Sequence, residues 1–252
     1  VNAGASSGLP ASTARDYFGN LRGGANGAYD IGAVECQGAG CTGSGGGGGG
    51  PPALAVLDNF NRANANTLGT NWSQVTSNSA LLCALLGGTP CAIDLVRSNQ
   101  ATSVSLVGLV ANAYWNGTGN VFGASQGAAF TFVTVGNNAA LVLKATGGTA
   151  TAPASFIQVR YTGTAVQVRT TTNSGVSFTQ AGGNLAATFA AGDTLTARVS
   201  ATGLVTVWKN STQLGTAQLP NVAAWTTGGG RIGMQLPTFG TTVDNFAGGT
   251  LP

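Results

Sequence analysis

The sequence predicts an all-β protein, a sandwich of two antiparallel sheets. Three observations carry this. Short runs of alternating apolar and polar residues recur along the chain, glycine- and asparagine-rich turn signals separate them, and no stretch longer than a turn shows helical periodicity. Successive side chains of a strand point to opposite faces, so period-two alternation marks a strand with one face buried and one exposed.

The runs, in order, begin with "SVSLVGLV" (103–110), "AAFTFVTV" (128–135) and "AALVLKA" (139–145). The middle of the chain adds "SFIQVRY" (155–161), "AVQVRT" (165–170), "TLTARVS" (194–200) and "LVTVWKN" (204–210). The last two are "GRIGMQL" (230–236) and "TTVDNF" (241–246). Gly136-Asn137-Asn138, Gly147-Gly148, Gly163, Ala201-Thr202-Gly203 and Gly228-Gly229-Gly230 punctuate them, residues suited to tight turns. Strands this short and this many pack as two facing sheets.

Ahead of the runs the composition breaks at "CTGSGGGGGGPPA" (41–53). A glycine run loses much backbone entropy on ordering, and the prolines favour an extended exit, so the stretch reads as a linker. The organisation expected is an N-terminal segment (1–36), a Gly/Pro-rich linker (37–57) and a sandwich (58–252).

Charged residues make up 7% of the 252 residues, against roughly a quarter in an ordinary soluble domain. Hydroxyls and amides therefore dominate the surface, with little like-charge repulsion to keep copies apart. The ten basic residues are scattered and form no stripe, which argues against nucleic acid. No run approaches the ~18 apolar residues of a membrane span. The chain starts at Val1 with no charged n-region or apolar h-region, and reads as a processed product or a piece of a longer chain.

Four cysteines fall in two close pairs, Cys36 with Cys41 and Cys83 with Cys91. Four cysteines permit three pairings, of which two local bridges are the simplest. Their spacing and the absence of histidine argue against zinc. Disulfides would place the protein in an oxidising compartment, at the cell surface or outside it.

Two stretches resemble known families. "DNFNRANANTLGTNW" (58–72) is similar to the opening of bacterial laminin-G-like, concanavalin-type jelly-roll modules. "GDTLTARVSATGLVTVWKNSTQLGT" (192–216) resembles their central hairpins, and "GGRIGMQLPTFGTTVDNFAGG" (229–249) their final strands. The resemblance implies a jelly roll whose first and last strands lie side by side, with Phe60 and Phe246 pointing inward. It also implies a weak calcium candidate at Asp58 and Asp244. The first residues resemble something else. Asn2-Ala3-Gly4, Asp16 to Arg22 and "DIGAVE" (30–35) look like the last coil of a right-handed parallel β-helix of bacterial surface proteins. A lone coil cannot bury its apolar face, so Tyr29, Asp30, Ile31, Gly32, Ala33 and Val34 are expected to add as a strand to a neighbouring copy.

An enzyme of this fold class would need its own site. Glycoside hydrolysis ordinarily uses two facing carboxylates, and the sandwich holds only Asp58, Asp94, Asp193 and Asp244, with no glutamate. Without histidine there is no histidine-based triad. A sugar site needs an aromatic platform beside amides, and "NAYWNGTGN" (112–120) offers Tyr114 and Trp115 flanked by Asn112, Asn116 and Asn120. That loop is the expected ligand site or subunit contact. The reading is a non-enzymatic extracellular structural protein without a cofactor, polymerising through its N-terminal segment. The alternative is a glycan-binding or adhesion module of a larger surface protein.

Overall fold

The computed structural model describes residues 2–4, 29–30, 50–77, 91–92, 94–103, 112–117, 119, 121–236 and 240–252. The chain divides into two units, residues 1–49 and 50–252. In the first, β1 (Asn2–Gly4) pairs antiparallel with β2 (Tyr29–Asp30), Asn2 lying opposite Asp30. Coils of a parallel β-helix stack through parallel ladders, so this pairing is not one that the expected β-helix turn would make. It also occupies one edge of Tyr29–Asp30 within the chain itself. Ile31, Gly32, Ala33 and Val34 lie outside the described residues, as do Cys36, Cys41 and Cys83.

The second unit opens with β3 (Val56–Asp58), so the boundary expected at residue 58 falls inside a strand. It continues with β4 (Trp72–Gln74), β5 (Thr76–Ser77), β6 (Cys91–Ala92), β7 (Asp94–Arg97), β8 (Gln100–Ser103) and β9 (Asn112–Trp115). The longer strands follow: β10 (Gln126–Thr134), β11 (Ala140–Thr146), β12 (Ser155–Tyr161), β13 (Ala165–Thr171) and β14 (Thr179–Ala186). The last are β15 (Thr194–Val199), β16 (Leu204–Lys209), β17 (Thr212–Gln218), β18 (Arg231–Gln235) and β19 (Thr242–Thr250).

These strands form an antiparallel sandwich of jelly-roll type. Sheet one runs β17-β16-β15-β10-β19-β8-β7, with β3 beside the far half of β19. Sheet two runs β14-β13-β12-β11-β18-β9-β4. β5 and β6 make a separate two-stranded ladder. The chain meanders through β11 to β14 in sheet two, then crosses to β15, β16 and β17 in sheet one.

The alternation read from the sequence sets the core. Phe130 and Phe132 of β10, Leu195 and Ala197 of β15, and Val205 and Val207 of β16 point inward from sheet one. Leu141 and Leu143, Ile157 and Val159, Val166 and Val168, and Ile232 and Met234 meet them from sheet two. All are essentially inaccessible. Burying one such side chain stabilises by roughly 1.5–3 kcal/mol, and a one-residue slip would turn a whole strand's set outward. Phe60 and Phe246 are both fully buried, and Phe246 pairs with Asp58 across β3 and β19, the arrangement expected of the first and last strands.

Asp58 organises this junction. Its oxygens accept from the Phe60 amide at 2.8 Å, from both terminal nitrogens of Arg62 at 2.7 and 3.0 Å, and from the Trp72 indole nitrogen at 2.8 Å. Phe60 adopts φ 50°, a left-handed conformation uncommon for a bulky residue, and the Asp58 carboxylate holds its amide in place. Trp72 stacks on Phe60 and meets Phe246 and Trp115 edge-on.

Candidate functional site

The inward residues of sheet two leave an outward set on the opposite face. In β9 these are Asn112 and Tyr114, in β18 Arg231 and Gln235, in β12 Phe156, Gln158 and Arg160, and in β13 Gln167 and Arg169. Register places them side by side: Asn112 faces Gln235, Gln158 faces Arg169, and Arg160 faces Gln167. A cleft of about 370 Å³ opens on this face, lined by Asn112, Phe156, Arg160, Arg169, Phe178 and Gln235 among others.

One wall is the loop between β13 and β14. The Asn173 side chain accepts from the Ser177 amide at 3.0 Å and donates to the Ser177 hydroxyl at 2.8 Å. The Ser174 amide donates to the Ala154 carbonyl at 2.9 Å, tying the loop to the start of β12. Gly175, at φ 84°, lets the chain double back close over the Phe156 and Phe178 rings.

A row of three aromatic rings, flanked by a guanidinium at each end, runs along this face and into the cleft. Arg231 sits 5.3 Å from the centre of the Tyr114 ring; Tyr114 meets Phe156 edge-on at 6.4 Å. Phe156 meets Phe178 edge-on at 5.9 Å, and Arg169 lies 4.1 Å above Phe178. Such cation–ring contacts contribute roughly 0.5–2 kcal/mol each, more when dry. Burial pushes the Tyr114 phenol above its ordinary pKa. It also draws Arg231 down, and with the neighbouring Arg160 charge it lowers Arg169 to about 10.

The polar partners on this floor are neutral amides. Arg169 donates to Gln158 Oε1 from Nε at 2.8 Å and from Nη2. Gln158 passes its own N–H to Gln235 Oε1, and Arg160 Nη2 donates to Gln167 Oε1 at 3.1 Å. Two buried polar atoms of the cleft residues, Arg160 Nε and Asn112 Oδ1, have no hydrogen-bond partner among the described residues.

The exposed aromatic loop expected at 112–120 is not what forms. Asn112–Trp115 is a strand, with Tyr114 1% exposed and Trp115 5% exposed. Trp115 turns into the main core against Trp72, and Tyr114 lies under Arg231 beside Phe156. Of the four described residues expected there, only Asn112 lines the cleft. Asn116 is exposed at the strand's end, and Asn120 lies outside the described residues. Phe156, Arg160, Arg169, Phe178 and Gln235 were missed, although all but Phe178 lie in runs read as strands.

The two aspartates of the calcium candidate have other partners. Asp58 is committed to Arg62, Trp72 and Phe60, and a guanidinium gripping both oxygens leaves the carboxylate a poor cation ligand. Asp244 accepts from the Asn245 amide at 2.7 Å. Among the described residues no three acidic, cysteine or histidine side chains cluster. Asp94 in β7 is buried, its carboxyl oxygens unpartnered among the described residues, and burial pushes its pKa well up. Asp193 pairs with Lys209 at 2.9 Å.

No protein-family model matches this sequence, and no curated protein matches it either. Solved structures do share its outline. A carbohydrate-binding module, CBM66 from Bacillus subtilis, is 10% identical with a TM-score of 0.42, covering 72% of this chain and 96% of its own. The Emp47p carbohydrate recognition domain is 11% identical at 0.45, covering 79% and 97%. A Bacillus licheniformis β-glucanase is 14% identical at 0.43, covering 77% and 97%. At this distance the likeness is one of outline, and nothing about function is taken from it. No helix among the described residues is long and apolar enough to cross a membrane.

Proposed function

We propose that the second unit is a saccharide-binding module that holds its ligand in the cleft on the outer face of sheet two and does not cleave it. The observation that supports this is the composition of the cleft. A sugar ring presents apolar C–H faces and a rim of hydroxyls. Phe156 and Phe178 supply an apolar surface, and Asn112, Asn138, Gln235 and the two arginines supply donors and acceptors around it. The cleft volume lies near the lower end of the roughly 300–1,000 Å³ usual for small-ligand pockets, room for one or two sugar rings.

Catalysis has no support from the placement of the acids. Asp58, Asp94, Asp193 and Asp244 lie in or beside strands of sheet one, and none lines the cleft. Hydrolysis ordinarily needs a carboxylate pair across the sugar. The reading carries with it a protein acting at the cell surface or beyond. Polymerisation has less support, since Tyr29 and Asp30, the described part of the expected donor strand, pair along one edge within their own chain.

A glycan array with the intact protein tests the reading, followed by titration of the best ligands against Phe178→Ala and Asn138→Ala. Binding that weakens in both variants, with unchanged thermal unfolding, is the expected result. Binding unaffected by either, or moved instead by changes on sheet one, would refute the cleft.

A further inference from the structure

Sheet two carries an unbalanced charge. Its seven strands contain Lys144, Arg160, Arg169 and Arg231 and not one aspartate or glutamate. Lys144 turns away, donating from Nζ to the Trp225 carbonyl at 2.6 Å. The three arginines belong to the outward face. Among the described residues of the sandwich the ion pairs are Arg62 with Asp58 and Lys209 with Asp193, both away from this face.

Within the cleft, Arg160 and Arg169 stand on neighbouring strands, close enough that one charge disfavours the other. Every hydrogen bond they make among the described residues goes to a glutamine oxygen. Gln158 and Gln167 orient the two forks without neutralising them. A half-buried pair of like charges is costly unless something of opposite sign joins it. The orphaned Nε of Arg160 is the same deficit seen at one atom, a buried donor without an acceptor.

We propose that the cleft selects acidic saccharides, sugars bearing a carboxylate or a sulfate, and that Arg160 and Arg169 hold the anionic group while Phe178 packs on the ring. This deepens the saccharide-binding reading and rests on it. The guanidinium fork matches two oxygens of a carboxylate or sulfate, a geometry lysine cannot supply. An anion between the two forks would also relieve their mutual repulsion. Asn112 and Gln235, beside each other at the far wall, would then meet sugar hydroxyls.

The test is calorimetric titration of the intact protein with oligogalacturonate, dextran sulfate and neutral dextran, at low and at physiological salt. At least one acidic ligand should bind about tenfold or more tightly than dextran, and its affinity should fall as salt rises. Preference for the uronate or for the sulfate identifies which anion the forks fit. Arg160→Gln should cost the acidic ligand about tenfold or more, and cost any neutral ligand clearly less. Arg169→Lys, which keeps a charge but not the fork, should weaken it as well. Arg198→Gln removes the same charge from sheet one and should leave affinity unmoved.

Neutral glycans binding as tightly as acidic ones would overturn this proposal and leave the saccharide-binding reading standing. An Arg198→Gln loss equal to that of Arg160→Gln would overturn it too, because attraction would then follow net charge. No binding by acidic or neutral glycans, on the array or in titration, would overturn both.

Discussion

Replacing Asp58 by alanine tests whether this single carboxylate clasps the junction of the two sheets. The substitution removes an acceptor from the Trp72 indole, whose side chain is 5% exposed, and from the Phe60 amide. It also releases Arg62, which is about a third exposed. A buried donor left unpaired costs about 1–3 kcal/mol, and the Arg62 pair adds about 1 kcal/mol or less after allowing for solvent screening. The Phe60 amide adds a smaller amount, because the loss lets its left-handed backbone relax. A total near 3 kcal/mol follows, and for a unit of this size it should lower Tm by roughly 6–12 °C. Thermal and urea unfolding followed by tryptophan fluorescence measures it, with Trp72 as a local reporter. Asp58→Asn should cost less, since it keeps one acceptor. A loss below about 1 kcal/mol for the alanine variant would refute the clasp. So would calcium raising the Tm of the wild type but not of the variant, because Asp58 would then be a cation ligand.

Two further predictions concern buried groups. Burial lowers the Lys144 pKa to about 8 from the ordinary 10.5. Below pH 8 both folded and unfolded chains hold the proton and the folded state bears the burial cost. Between about 8 and 10.5 only the unfolded chain keeps it, so stability should rise with pH by up to ~1.4 kcal/mol per unit. Tm measured from pH 7 to 9.5 should climb in the wild type and stay flatter in Lys144→Met, and equal slopes would count against it. Gly233→Ala should destabilise by several kcal/mol in urea, because a β-carbon there overlaps the Ala113 carbonyl and forces β9 away from β18. Gly183→Ala, in a strand with open space around it, should be neutral or gain up to ~1 kcal/mol; the reverse order would show that β9 and β18 are not packed as described.

The sheets were legible where one face is buried and the other wet. β10 through β13, β15, β16, β18 and β19 coincide with runs of alternating residues because each sends a full apolar row into the core. β14 and β17 showed no such signal. They are the outer strands of their sheets, TQAGGNLA and TQLGTAQ, and most of their residues are exposed or half-buried on both sides. Without a buried row there is no period to read. β9 failed for another reason. In NAYW the inward residues are Ala113 and Trp115, but the outward Tyr114 is covered as well, by Phe156 and Arg231. Two adjacent aromatics looked like a platform when they belong to opposite faces of one strand.

The cleft was within reach of the sequence in a way the aromatic loop was not. The turn around Gly163 joins SFIQVRY to AVQVRT with Tyr161 opposite Val166. Counting outward from that pair puts Arg160 across from Gln167 and Arg169 across from Gln158, all on the face away from the valines and isoleucine. Two arginines and two glutamines therefore share one surface by hairpin register alone. What the sequence could not supply was the wall, because Phe178 reaches the site through a loop whose path depends on the left-handed Ser174 and Gly175 and on the Ser174 amide finding Ala154. Nor could scattered charges reveal their division between the sheets. That division gives the site its chemical character. An aspartate at Gln158 or Gln167 would pair with the facing arginine and quench it, whereas a glutamine holds the guanidinium in position and leaves its charge to be answered by whatever enters the cleft.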